Sequence, residues 1–424
     1  MQKCIKLFGR NWCRSRIRIH FCESYPFGGV IEEFGRNYLA KSASDAVILV
    51  YFGIIHTVPS LQKYGGENMK GLTYIEYLFL DCISTERPIK EATLFYVLIG
   101  KRTVSTMLQC RQYDLEAYFN AMPGMKPTVL KKGLERLTSE GLISGNEGLG
   151  YLLTEAGIGE KNDFLSSHAH FSLGNQMKFA LIQGVLRRRM LFLIQILSEM
   201  LHKNKQYYPI EREAKEQLWM KRLLAQHSED KESFAKSCGE EWRAYLSRLP
   251  ERDAGIFALQ FEGNDHLRKT TGQMAGLFKV DEAEVKILLH QNWLRLYDSL
   301  EQEPEKFPVL SSVMRMTANE TGLASASAET TMRYFRNGHG MNEIISMRGL
   351  KQSTIQDHFA EIALIYREFP VPAFLDKEKM QYLQQLAAHK VRVDYREIQE
   401  VFPEINFFES RLIQIRSEVA AKYG

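Results

Sequence analysis

The chain has 424 residues, 45% of them apolar and 25% charged, the composition of an ordinary globular protein with length for about two to four domains. Positive charges exceed negative ones by four, and that excess lies in residues 1–68, where nine Lys and Arg face five acids; residues 69–424 carry 46 of each sign. A neutral body excludes a global electrostatic grip on nucleic acid and leaves only local basic patches.

Residues 1–68 are unlike the rest. They hold Cys4, Cys13 and Cys22 near His20, without the close C-x2-C pair that zinc favours. Six cysteines in a chain of this length are no disulfide framework, and free thiols in a reducing cytoplasm are expected. The apolar run Ala46–Ile55 is too short to span a bilayer and too far from the start for a secretion signal. No membrane contact is expected, and a cytoplasmic, DNA-associated location is. Tyr64-Gly65-Gly66-Glu67-Asn68 precedes Met69, where helical periodicity begins. Codons for Gly-Gly-Glu can spell a purine-rich ribosome-binding stretch. Two readings stand: a translated leader ahead of a natural start at Met69, or a native extension with little structure. Neither carries function.

From Gly71 onward the apolar spacing is helical, with strand signals only near Leu142-Ile143 and Gly150–Leu153. Within 69–160, Thr128–Leu137 places Val129, Leu130, Leu134 and Leu137 on one helical face, ahead of the two Gly-flanked strand signals. This resembles a winged-helix domain, whose third helix often enters a DNA groove. Lys126, Lys131, Lys132 and Arg136 are the candidate phosphate-binding residues. The alternative is the solvated basic face of a protein-binding winged helix. A helical connector, 161–245, follows.

Residues 246–302 resemble the promoter-reading helix-turn-helix of sigma factors, with Met274, Ala275, Phe278, Val280 and Val285 at the buried positions. Lys279 stands at the turn where that family usually has Gly, and Asp281, Glu282 and Glu284 open the helix that would meet phosphate. A structural role is therefore expected. A linker, 303–324, leads to 325–424, where Gly349 separates two short helices and Thr354, Ile355 and His358 recur at the spacing of response-regulator units. This segment carries thirteen basic and thirteen acidic residues, which favours protein contact over phosphate. Gln352, Ser353, Gln356, Asp357 and His358 are the candidate partner-binding residues. The fold class expected is all-α with a small β wing, several helix-turn-helix or winged-helix units in tandem.

Three tempting motifs lack their context. Gly100-Lys101 has Phe95 where a phosphate loop needs Gly, and no strand feeds it. His168 and His170, two apart, do not face each other on a helix. Arg187, Arg188 and Arg189 read more simply as a solvated or ion-paired face than as a phosphate contact. No catalytic arrangement, metal or cofactor is expected.

Arg348-Gly349-Leu350 and Ser353–His358 are the most distinctive residues. On them, residues 325–424 resemble the helix-turn-helix domain appended to bacterial RecQ-type helicases, and 71–424 resemble a helicase-associated family that carries this domain without a motor. The resemblance implies an adaptor of a RecQ-type helicase in DNA repair or recombination, with weak, non-specific DNA contact. The rival expectation is a sequence-specific transcription regulator using 126–158.

Overall fold

The computed structural model describes residues 71–423 apart from 167, 169–175, 228, 229 and 265. The expectations for residues 1–68 and His170 lie outside the described residues. Eighteen α-helices and one two-stranded antiparallel sheet are present among the described residues, so the molecule is mostly helical with a small β element. They form two compact units. The described parts of the larger are 71–186, 281–298 and 314–423; those of the smaller are 187–280 and 299–313.

The larger unit opens with α1 (Tyr74–Asp81), started by a capping box in which the Thr73 hydroxyl accepts the Glu76 N–H and the Thr73 N–H donates to Glu76 Oε2 at 2.7 Å. Ile89 then exchanges backbone hydrogen bonds of 3.0 and 2.9 Å with Tyr151. After α2 (Glu91–Leu98) and α3 (Val104–Gln112), α4 (Pro127–Ser139) starts with proline in the first turn, where the missing N–H costs nothing. Its buried stripe is Leu130, Gly133, Leu134 and Leu137, one helical face. Gly133 permits close approach to α1, because a Cβ there would stand 2.7 Å from the Phe79 ring. β1 (Ile143–Asn146) and β2 (Gly150–Leu153) pair from Ile143↔Leu153 to Asn146↔Gly150. Asn146 Oδ1 closes their turn by accepting the Gly148 and Leu149 N–H groups, each at 3.0 Å. α5 (Glu155–Leu165) follows its cap, Thr154.

The middle of the chain supplies α6 (Gln183–Leu201), α7 (Ala214–Ala225), α8 (Lys231–Leu246), α9 (Glu251–Ala258), α10 (Thr271–Phe278), α11 (Glu282–Gln302) and α12 (Pro308–Thr321). In the smaller unit Trp242, Tyr245, Phe257 and Phe261 pack their rings edge to face. Glu241 caps α12 there, accepting the Val309 and Leu310 N–H groups at 2.8 and 2.9 Å.

The last helices return to the larger unit: α13 (Ala326–Arg336), α14 (Met341–Arg348), α15 (Gln352–Ile365), α16 (Lys377–Ala388), α17 (Tyr395–Val401) and α18 (Phe407–Tyr423). Met107 and Leu108 of α3, Phe359 and Ile362 of α15, and Leu412 and Ile413 of α18 are buried in one core. Ion pairs cross this seam. Arg111, 1% exposed, holds Glu116 at 2.9 Å and donates to the Leu364 carbonyl at 3.0 Å. Arg102 pairs with Glu361 at 2.8 Å, and Arg392 grips Asp114 with two bonds of 2.9 Å. Residues 325–423 thus belong to a core shared with 71–186.

Candidate helix-turn-helix interface

α13, α14 and α15 build the unit expected around Gly349. Ser325 caps α13, and Gly349, φ +60°, makes the turn between α14 and α15 in the left-handed region that only glycine enters without cost. At the end of α14, Arg348 donates to the Ser327 carbonyl at 2.6 Å and also to the Thr331 hydroxyl, which lies 2.8 Å from His358 Nδ1. One chain of polar contacts therefore ties the three helices together.

This corrects the expectation for His358. It stands three residues after Ile355, on the same helix face, and both side chains are buried. Burial, then the Arg348 guanidinium, hold its imidazole below the ordinary histidine range. His358 is a strut, not a contact surface. Gln352, Ser353 and Asp357 are exposed, and Gln356 is half-buried beside them. Every residue from His358 to Ile365 is buried. The helix thus offers only its N-terminal tip, which carries Lys351 and Asp357, one charge of each sign.

α4 is different. Lys126, Lys131 and Lys132 are all exposed, with Thr128 and Val129 between them. Arg136 does not join them: it pairs with Glu76 at 3.0 Å and donates to the Gly71 carbonyl at 2.8 Å, fixing the start of α1. Its expected role as a free phosphate ligand is corrected accordingly. Carboxylates from α2, the hairpin turn and α4 gather around Tyr151 of the hairpin. Burial, then the carboxylates of Glu91, Glu147 and Glu135, push the Tyr151 hydroxyl above its ordinary range. Burial and then Glu147 likewise raise Glu91, against the pull of Lys131.

Residues 327–414 match a family described as a helix-turn-helix domain. The chain contains a helix-turn-helix domain. Over 351 residues, it is 24% identical to Protein YpbB of Bacillus subtilis (strain 168), an alignment covering 80% of this chain and 97% of that protein. No solved structure matches the chain.

The remaining motifs find structural partners. Lys279 adopts φ +54°, the left-handed turn expected at that position, with a side chain in place of glycine. Arg187 donates to Gln260 at 2.6 Å, Arg188 pairs with Glu211 at 3.3 Å, and Arg189 pairs with Glu216 at 2.6 Å. The Lys101 ammonium rests 3.7 Å from the centre of the Tyr96 ring. His168 stacks on Phe164 and bonds its carbonyl at 2.9 Å. No described helix is long and apolar enough to cross a membrane.

Sequence reasoning missed two features near the candidate interface. Arg411 of α18 lies over the Phe407 ring at 4.7 Å, and burial lowers its pKa against the opposing pull of Asp357 on α15. The four-residue spacing of Phe407 and Arg411 was a usable signal. Glu361, which accepts from Arg102 and from Ser325, gives none, since Arg102 is 259 residues away.

Proposed function

We propose that the protein is a non-catalytic accessory of a RecQ-type DNA helicase, acting in the cytoplasm in DNA repair or recombination. The α15 tip engages the helicase through Gln352, Ser353, Gln356 and Asp357. α4 lends weak, sequence-independent contact to DNA phosphates through Lys126, Lys131 and Lys132. The observation that carries this division of labour is the difference in charge between two exposed helix surfaces. The α15 tip is polar with balanced charge and suits hydrogen-bonded protein contact; the α4 face presents three lysines. The helix-turn-helix match over 327–414 supports a role on DNA.

A second reading, a sequence-specific transcription regulator, has one observation in its favour. The Ile89 bridge to Tyr151 and the β1–β2 hairpin resemble a wing, and α4 immediately precedes that hairpin as a reading helix would, although α3 stands between α2 and α4. The acids around Tyr151 and the engagement of Arg136 weigh against it. Anisotropy of a labelled duplex, titrated with the full chain at several salt concentrations, separates the two. Steep salt dependence without preference for any duplex supports the accessory role, whereas nanomolar preference for one sequence supports the regulator.

A further inference from the structure

A cavity of about 460 Å³ opens between α16, α18 and the turn after α15. Met380 and Leu383 of α16 and Val419 of α18 give it apolar walls, while Arg367, Glu368 and Gln384 also line it. Arg416 reaches it from α18. Its Nη2 donates to the Phe369 carbonyl at 2.8 Å, and no carboxylate among the described residues forms an ion pair with it. Glu368 is near enough to be felt electrostatically, and so is Arg111 with its like charge. Burial, then Arg111, hold the Arg416 guanidinium below the ordinary arginine range. A guanidinium that has lost part of its water, feels a second guanidinium and has one carbonyl hydrogen bond leaves positive potential that Glu368 offsets only in part, beside an apolar wall.

We propose that this cavity binds the free C-terminus of a partner polypeptide. The α-carboxylate pairs with Arg416, and the apolar last side chain lies against Met380, Leu383 and Val419. A C-terminal residue carries both groups on one Cα, which matches the Arg416 guanidinium beside an apolar wall. The volume suits a ligand of one or two residues rather than a helix. A nucleic-acid phosphate would find the charge without a use for the apolar wall. Capture of a chain end by a few polar groups beside a side-chain pocket is an established mode of peptide recognition. The inference is independent of the helicase role.

The test uses the full chain and N-terminally labelled hexapeptides Ser-Gly-Ser-Gly-Ala-Xaa, followed by fluorescence anisotropy. Xaa is Leu, Phe or Ser with a free carboxylate, or Leu or Phe as the amide. The Leu and Phe acids are expected to bind, and their amides and the Ser peptide to bind at least about tenfold more weakly, the scale of one charge-assisted pair. Arg416→Gln should abolish the difference between acid and amide. Gln384 is exposed at the rim, so Gln384→Glu keeps the fold and should weaken the acids several-fold while sparing the amides. No binding of either acid at about 1 mM, equal binding of acids and amides, or discrimination that survives both substitutions would overturn the proposal.

Discussion

α4 and α15 each follow a shorter α-helix, α4 after a long connection and α15 after a tight turn, yet they meet their surroundings in opposite ways. α4 buries four of its thirteen residues and leaves one face open along its length. α15 buries nine of fourteen and is enclosed on all sides after its second turn. A helix with an open face can lie along an extended partner, whereas an enclosed one can only be touched at its tip. Sequence accounts for the difference. α4 alternates lysines with a leucine stripe, while His358–Ile365 is almost wholly apolar and can be stable only when surrounded.

The largest expected effect concerns what encloses α15. Glu116→Ala leaves Arg111 charged, buried and without its carboxylate beside the end of α15, and should cost about 3–5 kcal/mol in urea denaturation. Arg111→Met combined with Glu116→Leu should recover much of that loss. A single-substitution cost below about 1 kcal/mol would mean that this seam does not set the burial of α15.

The two left-handed turns carry smaller effects. Gly349→Ala should cost about 1–2 kcal/mol through its positive φ alone, because no atom lies within 4 Å of an added Cβ. Lys279→Gly relieves the same strain at the other turn. Glycine's greater freedom in the unfolded chain offsets most of the gain, leaving at most about 0.5 kcal/mol. Equal and opposite shifts in the two melts would contradict this.

On α4, the prediction reads through DNA rather than stability. Lys131→Ala with Lys132→Ala should flatten the log–log salt dependence of duplex binding by up to about 1.8 and change stability by less than about 0.5 kcal/mol. An unchanged slope would place the phosphate contact elsewhere.

The smallest effect is a pH response confined to α15, since α4 contains no histidine. His358 titrates below its ordinary value of 6.5 in the folded chain, so the unfolded chain takes up that proton first as pH falls. Its contribution to stability is complete above 6.5 and is lost as pH drops below that value towards the lowered folded one. His358→Gln should flatten stability against pH across this window, and an unaltered profile would remove His358 as a pH-dependent strut.

The sequence made the helical class legible, along with the hairpin at Ile143–Leu153 and the Gly349 turn, because each rests on local chemistry: periodicity, flanking glycines and a left-handed residue. Exposure of the α4 lysines was legible for the same reason. The seam was not. Arg111 meets the Leu364 carbonyl across 253 residues, and Arg136 meets Glu76 across 60. No spacing rule reaches so far, so Arg136 looked available to phosphate. His358 was misplaced by a smaller margin, since its burial depends on Thr331 and Arg348 from neighbouring helices.

The helicase-accessory role is tested most directly by calorimetry between the full chain and a RecQ-type helicase from the same cell. The account predicts saturable heat at micromolar concentrations. Gln356→Arg with Asp357→Arg should weaken the complex by about 1–3 kcal/mol while the melting temperature stays unchanged. Absence of heat with both proteins folded, or equal affinity for the substituted chain, would contradict it.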